Sequence, residues 1–360
     1  MSRALTPSPT SRRRVSAGLI AALAIAAVVV AAALGVFAFA LLRSDGDVAT
    51  PATPSPAVTT STSTPTPTLT PTPMTPAPPP APASPVAQEC PGSTTVLTIW
   101  AHPDDDIIFA NPTIADAIAA GQCVRTVFAT AGDAGKGNDY ASARERGILR
   151  AYDAMRGSDS PWDAADITLN TGVHVHRFTP QGDSRLSVLF LRLPDGNIAD
   201  GGFDATGHAT LSKLYGGSLA SLTPNDGGPA VTRDQLIASV RELAVAFTPE
   251  STLTHIPRGS AFAPGDHPDH SVVGSVVRDA LSADAAVAPG IRYVLGYPSE
   301  KLPRNLDGAV LDSKVDIFRL YTQQDPVIRC ADREACLATR KFGEWLRRSY
   351  VKTEAELQMG

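Results

Sequence analysis

The chain has 360 residues, 43% hydrophobic, 19% charged and 6% aromatic, enough for one large domain or two ordinary ones. Beyond residue 88, 26 Lys and Arg stand against 34 Asp and Glu, a net charge of −8 that excludes sequence-independent nucleic-acid binding. A chain of this length buries a full core without disulfides, so its four cysteines are not a folding framework.

The N-terminal quarter differs from the rest. Arg12, Arg13 and Arg14 precede an uncharged apolar run from Ala17 to Leu42, and Arg43 follows it. Twenty-six residues at about 1.5 Å each span roughly 39 Å, enough to cross a hydrocarbon core with some tilt. The charge asymmetry places the N-terminus in the cytoplasm. The reading is a cytoplasmic segment 1–16, a transmembrane signal-anchor helix 17–42, a Pro/Thr-rich linker 43–88 and an extracytoplasmic domain 89–360. Secretion after signal cleavage is the rival, but a signal peptide's apolar region runs to about 7–15 residues. Residues 46–88 carry 13 prolines among Thr, Ser and Ala. Such a stretch buries nothing and extends as polyproline, roughly 120 Å when fully stretched, so it reads as a disordered stalk.

Cys90 lies just ahead of one apolar run and Cys123 just ahead of another. Neighbouring parallel strands would bring both to one sheet end, where they can bridge. Cys330 and Cys336 are close enough to clip a local turn. Neither spacing resembles a structural zinc site, so two disulfides are expected.

In the outer domain, Val96–Trp100 and Val124–Phe128 read as buried strands, with a short helix over Pro112–Ala120 between them. Helices follow over Tyr140–Met155, Leu236–Phe247 and Asp269–Leu281. Further strands are expected at Ser187–Leu193, Thr252–Ile256 and Tyr293–Tyr297. Strands alternating with helices define an α/β fold with a mainly parallel sheet flanked by helices. Its ligands belong beyond the carboxyl ends of the strands.

Chemistry-bearing residues stand at that place. Ala101-His-Pro-Asp-Asp-Asp106 directly follows the first strand, and Asp266-His-Pro-Asp-His270 lies between a strand and a helix. A histidine beside three carboxylates calls for a cation among them, and a divalent metal serves. His102, Asp105 and one of His267 or His270 would make a two-histidine, one-carboxylate set with open positions, as a catalytic metal requires. The structural alternative is one aspartate capping a helix while the others are solvated.

The segments Ala101-His-Pro-Asp-Asp105, Gly132-Asp-Ala-Gly135 and His267-Pro-Asp-His270 together resemble the PIG-L (LmbE-like) family of metal-dependent N-deacetylases. Thr130–Gly137, Tyr140, Arg144-Glu145 and Phe190–Gly196 are similar to secreted actinobacterial members. The resemblance spans roughly residues 95–300 and implies a Rossmann-like sheet with zinc on His102, Asp105 and His270, Fe2+ being the other ion suited to such nitrogen and oxygen donors. It implies Asp104 as general base, His267 facing the developing oxyanion and Asp269 orienting a histidine; on physical grounds a histidine can also protonate the leaving amine, and Asp269, between His267 and His270, can fix the tautomer of one of them. It implies substrate contacts from Arg144 and Asp195, and Asp133 is expected to line the cleft. The substrate it implies is an N-acetylated sugar or glycoconjugate.

Two positions depart from the family pattern. Gly147 stands where members often carry a glutamate three residues after the arginine, and Gly265 where some carry a tyrosine before the second cluster. These departures leave room for a hydrolase of another amide or ester, or for a stalked binding module without turnover. Retention of Asp104 favours catalysis, because binding alone needs no base. Gly132–Gly137 lacks the spacing of a phosphate-binding loop. His174, His176 and His208 read as ordinary polar histidines, Trp100 as core, and His255, at a strand end, as within reach of the site.

Overall fold

The computed structural model describes residues 82–360. The expected cytoplasmic segment 1–16, the expected anchor 17–42 and all but the end of the expected linker 43–88 lie outside the described residues. Among the described residues no helix is long and apolar enough to cross a membrane.

The sheet forms from β1 (Thr95–Trp100), β2 (Cys123–Thr130), β3 (Trp162–Thr168), β4 (His174–Pro180), β5 (Leu186–Leu193), β6 (Ser251–His255), β7 (Ile291–Val294) and β8 (Val351–Lys352). Its order is β8-β7-β6-β1-β2-β5-β4-β3. The five central strands, β7, β6, β1, β2 and β5, run parallel, and the outer ones pair antiparallel. Counted along the chain, the parallel strands lie in the order 3-2-1-4-5, a doubly wound topology whose direction reverses between β1 and β6.

Every residue of β1 and β2 is buried, as expected for strands covered on both faces. Alternate side chains serve opposite layers. Leu97, Ile99, Val127 and Leu189 pack beneath α3 (Arg233–Phe247) and α4 (Pro268–Leu281). Val96, Trp100, Phe128 and Phe190 pack beneath α1 (Thr113–Ala119), α2 (Asn138–Arg156) and α5 (Gly308–Thr322). Thr232 and Gln235 close a capping box at the start of α3, satisfying amides that the helix leaves free.

Each strand and helix expected from the sequence is present, with shifted ends. α3 starts three residues early, and β7 stops at Val294 because the chain turns at Gly296 into a 3-10 turn over Tyr297–Lys301. Both cysteine pairs are joined, Cys90 to Cys123 and Cys330 to Cys336. The first bridge follows from the strand register, which sets Thr95 opposite Cys123.

Candidate metal and catalytic site

Two loops meet where the sheet's winding reverses. One leaves β1 at Ala101 and enters a π-helical turn, Asp106–Ala110. The other leaves β6 and enters α4 through His267, whose ring caps the helix by accepting the Asp269 amide at Nδ1 (3.2 Å). Pro268 occupies the first helical position, where no amide donor is needed. His270 then falls within the first turn of α4, facing the β1 loop.

Asp105 is the centre of the cluster. Its Oδ2 accepts the His102 amide at 2.7 Å and lies 3.3 Å from His102 Nδ1. His270 Nε2 is 3.0 Å from its Oδ1 and His255 Nε2 is 3.2 Å from its Oδ2. Donor atoms of His102, His267 and His270 lie within 4.8 Å of one another, as do those of Asp105, His255 and His270. Carboxylates hold the far side of two of these rings: His270 Nδ1 reaches Asp266 Oδ1 at 2.8 Å, and His102 Nε2 reaches Asp269 Oδ2 at 3.3 Å. His270 Nε2 is buried and has no hydrogen-bond partner. A buried ring with one nitrogen beside a carboxylate and the other held from behind by a second carboxylate is the arrangement of a metal ligand. His102, Asp105 and His270 thus lie in a His/Asp cluster whose donor atoms suit a divalent cation, with His255, His267, Asp195 and Asp269 the other members.

The electrostatics follow from burial and charge pairing. Burial opposes a charged imidazole at His270, but Asp105 and Asp266 raise it to about 9. Burial would also raise Asp105, yet His270, His102 and His255 hold its carboxyl well below the usual range. Burial, with His102 and His270 nearby, pushes His267 far down, so its ring is neutral. With Nδ1 accepting the Asp269 amide, the remaining ring proton sits on Nε2. Asp104 is pushed up to about 6 by burial, against the pull of Arg144. Arg144 on α2 places Nη2 2.5 Å from Asp104 Oδ1.

His102, Asp104, Asp105 and His267 open onto one cleft of about 300 Å³, lined also by Arg144 and Asp195. Across it Tyr297 and Trp345 stack at 4.3 Å, only 7° from parallel. Asp195 is buried and accepts the Ala134 and Asn197 amides.

Three placements differ from the sequence reading. Asp133 is not among the cleft's lining residues; it lines a separate cavity of about 370 Å³ with Asn138 and Asn225. Asp269 orients His102 on the other loop rather than a histidine of its own cluster, and takes the Gly196 amide at 2.8 Å. Arg144 engages Asp104, Gly132 O (2.6 Å) and the Tyr321 hydroxyl (2.8 Å), so its fork is occupied by protein groups. Asp266, Tyr321 and Asp325 were not singled out from sequence. The i to i+4 spacing of Asp266 and His270 is the one local signal among them. His255 stacks on His270 at 4.0 Å. His176 pairs with Asp166 and Asp226, and His208 with Asp204.

A buried cluster of metal-ligand type, with a carboxylate beside it, thus stands at the switch point of a doubly wound sheet, where ligands bind in such folds. Residues 97–281 match the PIG-L family, described as GlcNAc-PI de-N-acetylase, and the chain belongs to that family. It is an N-deacetylase, an amidohydrolase.

Among solved structures it is similar to the N,N'-diacetylchitobiose deacetylase from Pyrococcus horikoshii complexed with its inhibitor MPG, at 16% identity and a TM-score of 0.37, covering 65% of this chain and 72% of that one. It is similar to the zinc-inhibited form of teicoplanin deacetylase Orf2, at 18% and 0.38, covering 64% and 85%. It is also similar to GalB, the 4-carboxy-2-hydroxymuconate hydratase from Pseudomonas putida KT2440, at 12% and 0.39, covering 71% and 84%. No match is found among curated proteins.

Proposed function

We propose that the chain hydrolyses the acetyl–nitrogen bond of an N-acetylated sugar or glycoconjugate, with His102, Asp105 and His270 holding one divalent cation, zinc in the first instance. The observation that carries this is the unpartnered, buried Nε2 of His270, tied behind by Asp266 and facing Asp105. When bound, such an ion polarises the amide carbonyl and lowers the pKa of water to about 7.

The protein's own groups carry the rest. Asp104 takes a proton from the attacking water as oxygen adds to the acyl carbon. His267, neutral and protonated at Nε2, donates to the carbonyl oxygen as negative charge develops there. The leaving nitrogen needs a proton, which Asp104, having taken one from the water, returns to it. The carbon–nitrogen bond breaks, giving acetate and an amine. Asp269 fixes the ring of His102. Asp195 accepts from a sugar hydroxyl, and the Tyr297–Trp345 pair offers a flat face to a ring.

The family's glycoconjugate substrate supports the substrate class. The apolar run 17–42, its flanking arginines and the two joined cysteine pairs support a single-pass anchor with the domain in an oxidising, extracytoplasmic compartment.

The test is amine release from N-acetylglucosamine and its glycosides. Chelation should abolish it and zinc restore it. Asp104→Asn should keep the metal and lose turnover by about 10²–10⁴-fold. Unchanged turnover in that variant would refute the base assignment.

A further inference from the structure

We infer that the segment beyond the family-matched residues positions the base: Tyr321 and Asp325, acting through Arg144, set the carboxylate of Asp104. The inference rests on the reading of Asp104 as base.

The chain of contacts is continuous and buried. Arg144 Nη2 meets Asp104 Oδ1, and its Nε donates to the Tyr321 hydroxyl at 2.8 Å. That hydroxyl donates onward to Asp325 Oδ2 at 3.0 Å. Asp325 is anchored in turn, its Oδ1 accepting the amides of Val327 (2.7 Å) and Ile328 (2.9 Å). Tyr321 and Asp325 are fully buried, and Asp104 and Arg144 nearly so. The guanidinium thus lies between two carboxylates, with the tyrosine hydroxyl fixing its orientation.

Nothing in residues 97–281 could supply these two groups, since both follow α4 by some forty residues. The seat for the tyrosine is built on α2. Gly147, one turn beyond Arg144, has no side chain, and a Cβ there would come within 2.7 Å of Tyr321 Cδ2 and 2.9 Å of Tyr321 O. The missing side chain lets the ring of α5 press against α2 and bring its hydroxyl to Arg144.

Arginine carries much rotamer freedom, and its planar fork is effective only when held. Freed from Tyr321, Arg144 samples other directions and leaves Asp104 less often aligned with the attacking water. Neither Tyr321 nor Asp325 is among the residues lining the cleft. Both are therefore positioning residues.

The test is steady-state kinetics of the full chain with an N-acetyl sugar and its N-trifluoroacetyl analogue, whose more electrophilic carbonyl keeps base-deficient variants measurable. Tyr321→Phe preserves the ring in its seat, and Asp325→Asn preserves shape. Each should lower kcat on the N-acetyl substrate about tenfold, as for loss of a hydrogen bond to a charged group. KM and metal stoichiometry should stay within about twofold.

The deciding measurement is a cycle with Asp104→Asn on the trifluoroacetyl substrate. If Tyr321 acts through Asp104, adding Tyr321→Phe to Asp104→Asn costs nothing more. A loss that multiplies in the double variant assigns Tyr321 a general structural role and overturns the inference. Wild-type turnover in Tyr321→Phe, with Asp104→Asn inactive, overturns it while leaving the base reading standing. Wild-type turnover in Asp104→Asn removes the base reading, and the inference falls with it.

Discussion

Asp266 holds His270 from outside the ligand set, and Asp266→Asn isolates that role. Its Oδ1 accepts three donors: His270 Nδ1 at 2.8 Å, the His267 amide at 2.9 Å and the Tyr297 amide at 3.0 Å. Asparagine retains an acceptor oxygen for the two amides but removes the charge that makes His270 a better ligand. Its amide nitrogen would take the place of Oδ2, a buried atom with no partner, leaving a donor unsatisfied. Loss of such a supporting carboxylate costs roughly 10–100-fold in metal affinity, or about 1.4–2.8 kcal/mol. Competition for zinc against a chromogenic chelator measures this directly. Gly296→Ala should act in the same direction, because a Cβ there would lie 2.5 Å from Asp266 Oδ1 and 2.8 Å from His270 Nδ1. Wild-type affinity in both variants would refute the claim that Asp266 sets His270 as a ligand.

Metal binding must displace the proton from His270, which its two carboxylate neighbours hold up to about 9. Affinity should therefore rise between pH 6 and 9, by about tenfold per pH unit for each proton displaced; calorimetry in buffers of different ionisation enthalpy would reveal proton release, and a flat profile would contradict the pairing. Lys314 on α5 is buried with one hydrogen bond, Nζ to Arg348 O at 2.7 Å, and burial lowers it to about 7. The unfolded chain takes up this proton below about 10.5, the folded one only below about 7, so the destabilisation is complete under pH 7 and fades as pH rises towards 10.5. Lys314→Met should stabilise the fold by about 1–3 kcal/mol at pH 6, after the unpaired Arg348 carbonyl is allowed for. Denaturant melts at pH 6 and pH 10 check it, and an equal gain at both would refute the electrostatic origin.

Legibility in the sequence followed range. The alternation of apolar runs and helical periods, the paired cysteines and the two His-Pro-Asp clusters are local patterns, and each led to the right element or the right loop. The β3–β4 hairpin was missed because β3, Trp-Asp-Ala-Ala-Asp-Ile-Thr, is largely exposed and buries one residue fully. Helix α5 was passed over although Leu311, Val315 and Phe318 keep helical spacing; what its sequence does not mark is the surface it covers. Tyr321 meets Arg144 across 177 positions, a juxtaposition no spacing rule contains. His255 was legible as a strand-end histidine, but its contact with Asp105 depends on β6 lying beside β1. Asp133 follows the right strand yet lines the neighbouring cavity, since the end of a strand fixes a neighbourhood and not the direction of a side chain. The two glycines that departed from the family pattern read as losses in sequence. In the structure Gly147 is the seat of Tyr321, whereas Gly265 adopts a positive φ of 91° near Lys301.

The ligand set is tested most directly by anomalous diffraction at the zinc edge from crystals grown with zinc. The account predicts one strong peak about 2.0–2.2 Å from His102 Nδ1, an Asp105 oxygen and His270 Nε2, with a position left open towards the cleft. A peak held instead by His255 and His270 without His102, or no peak in this cluster, would contradict it.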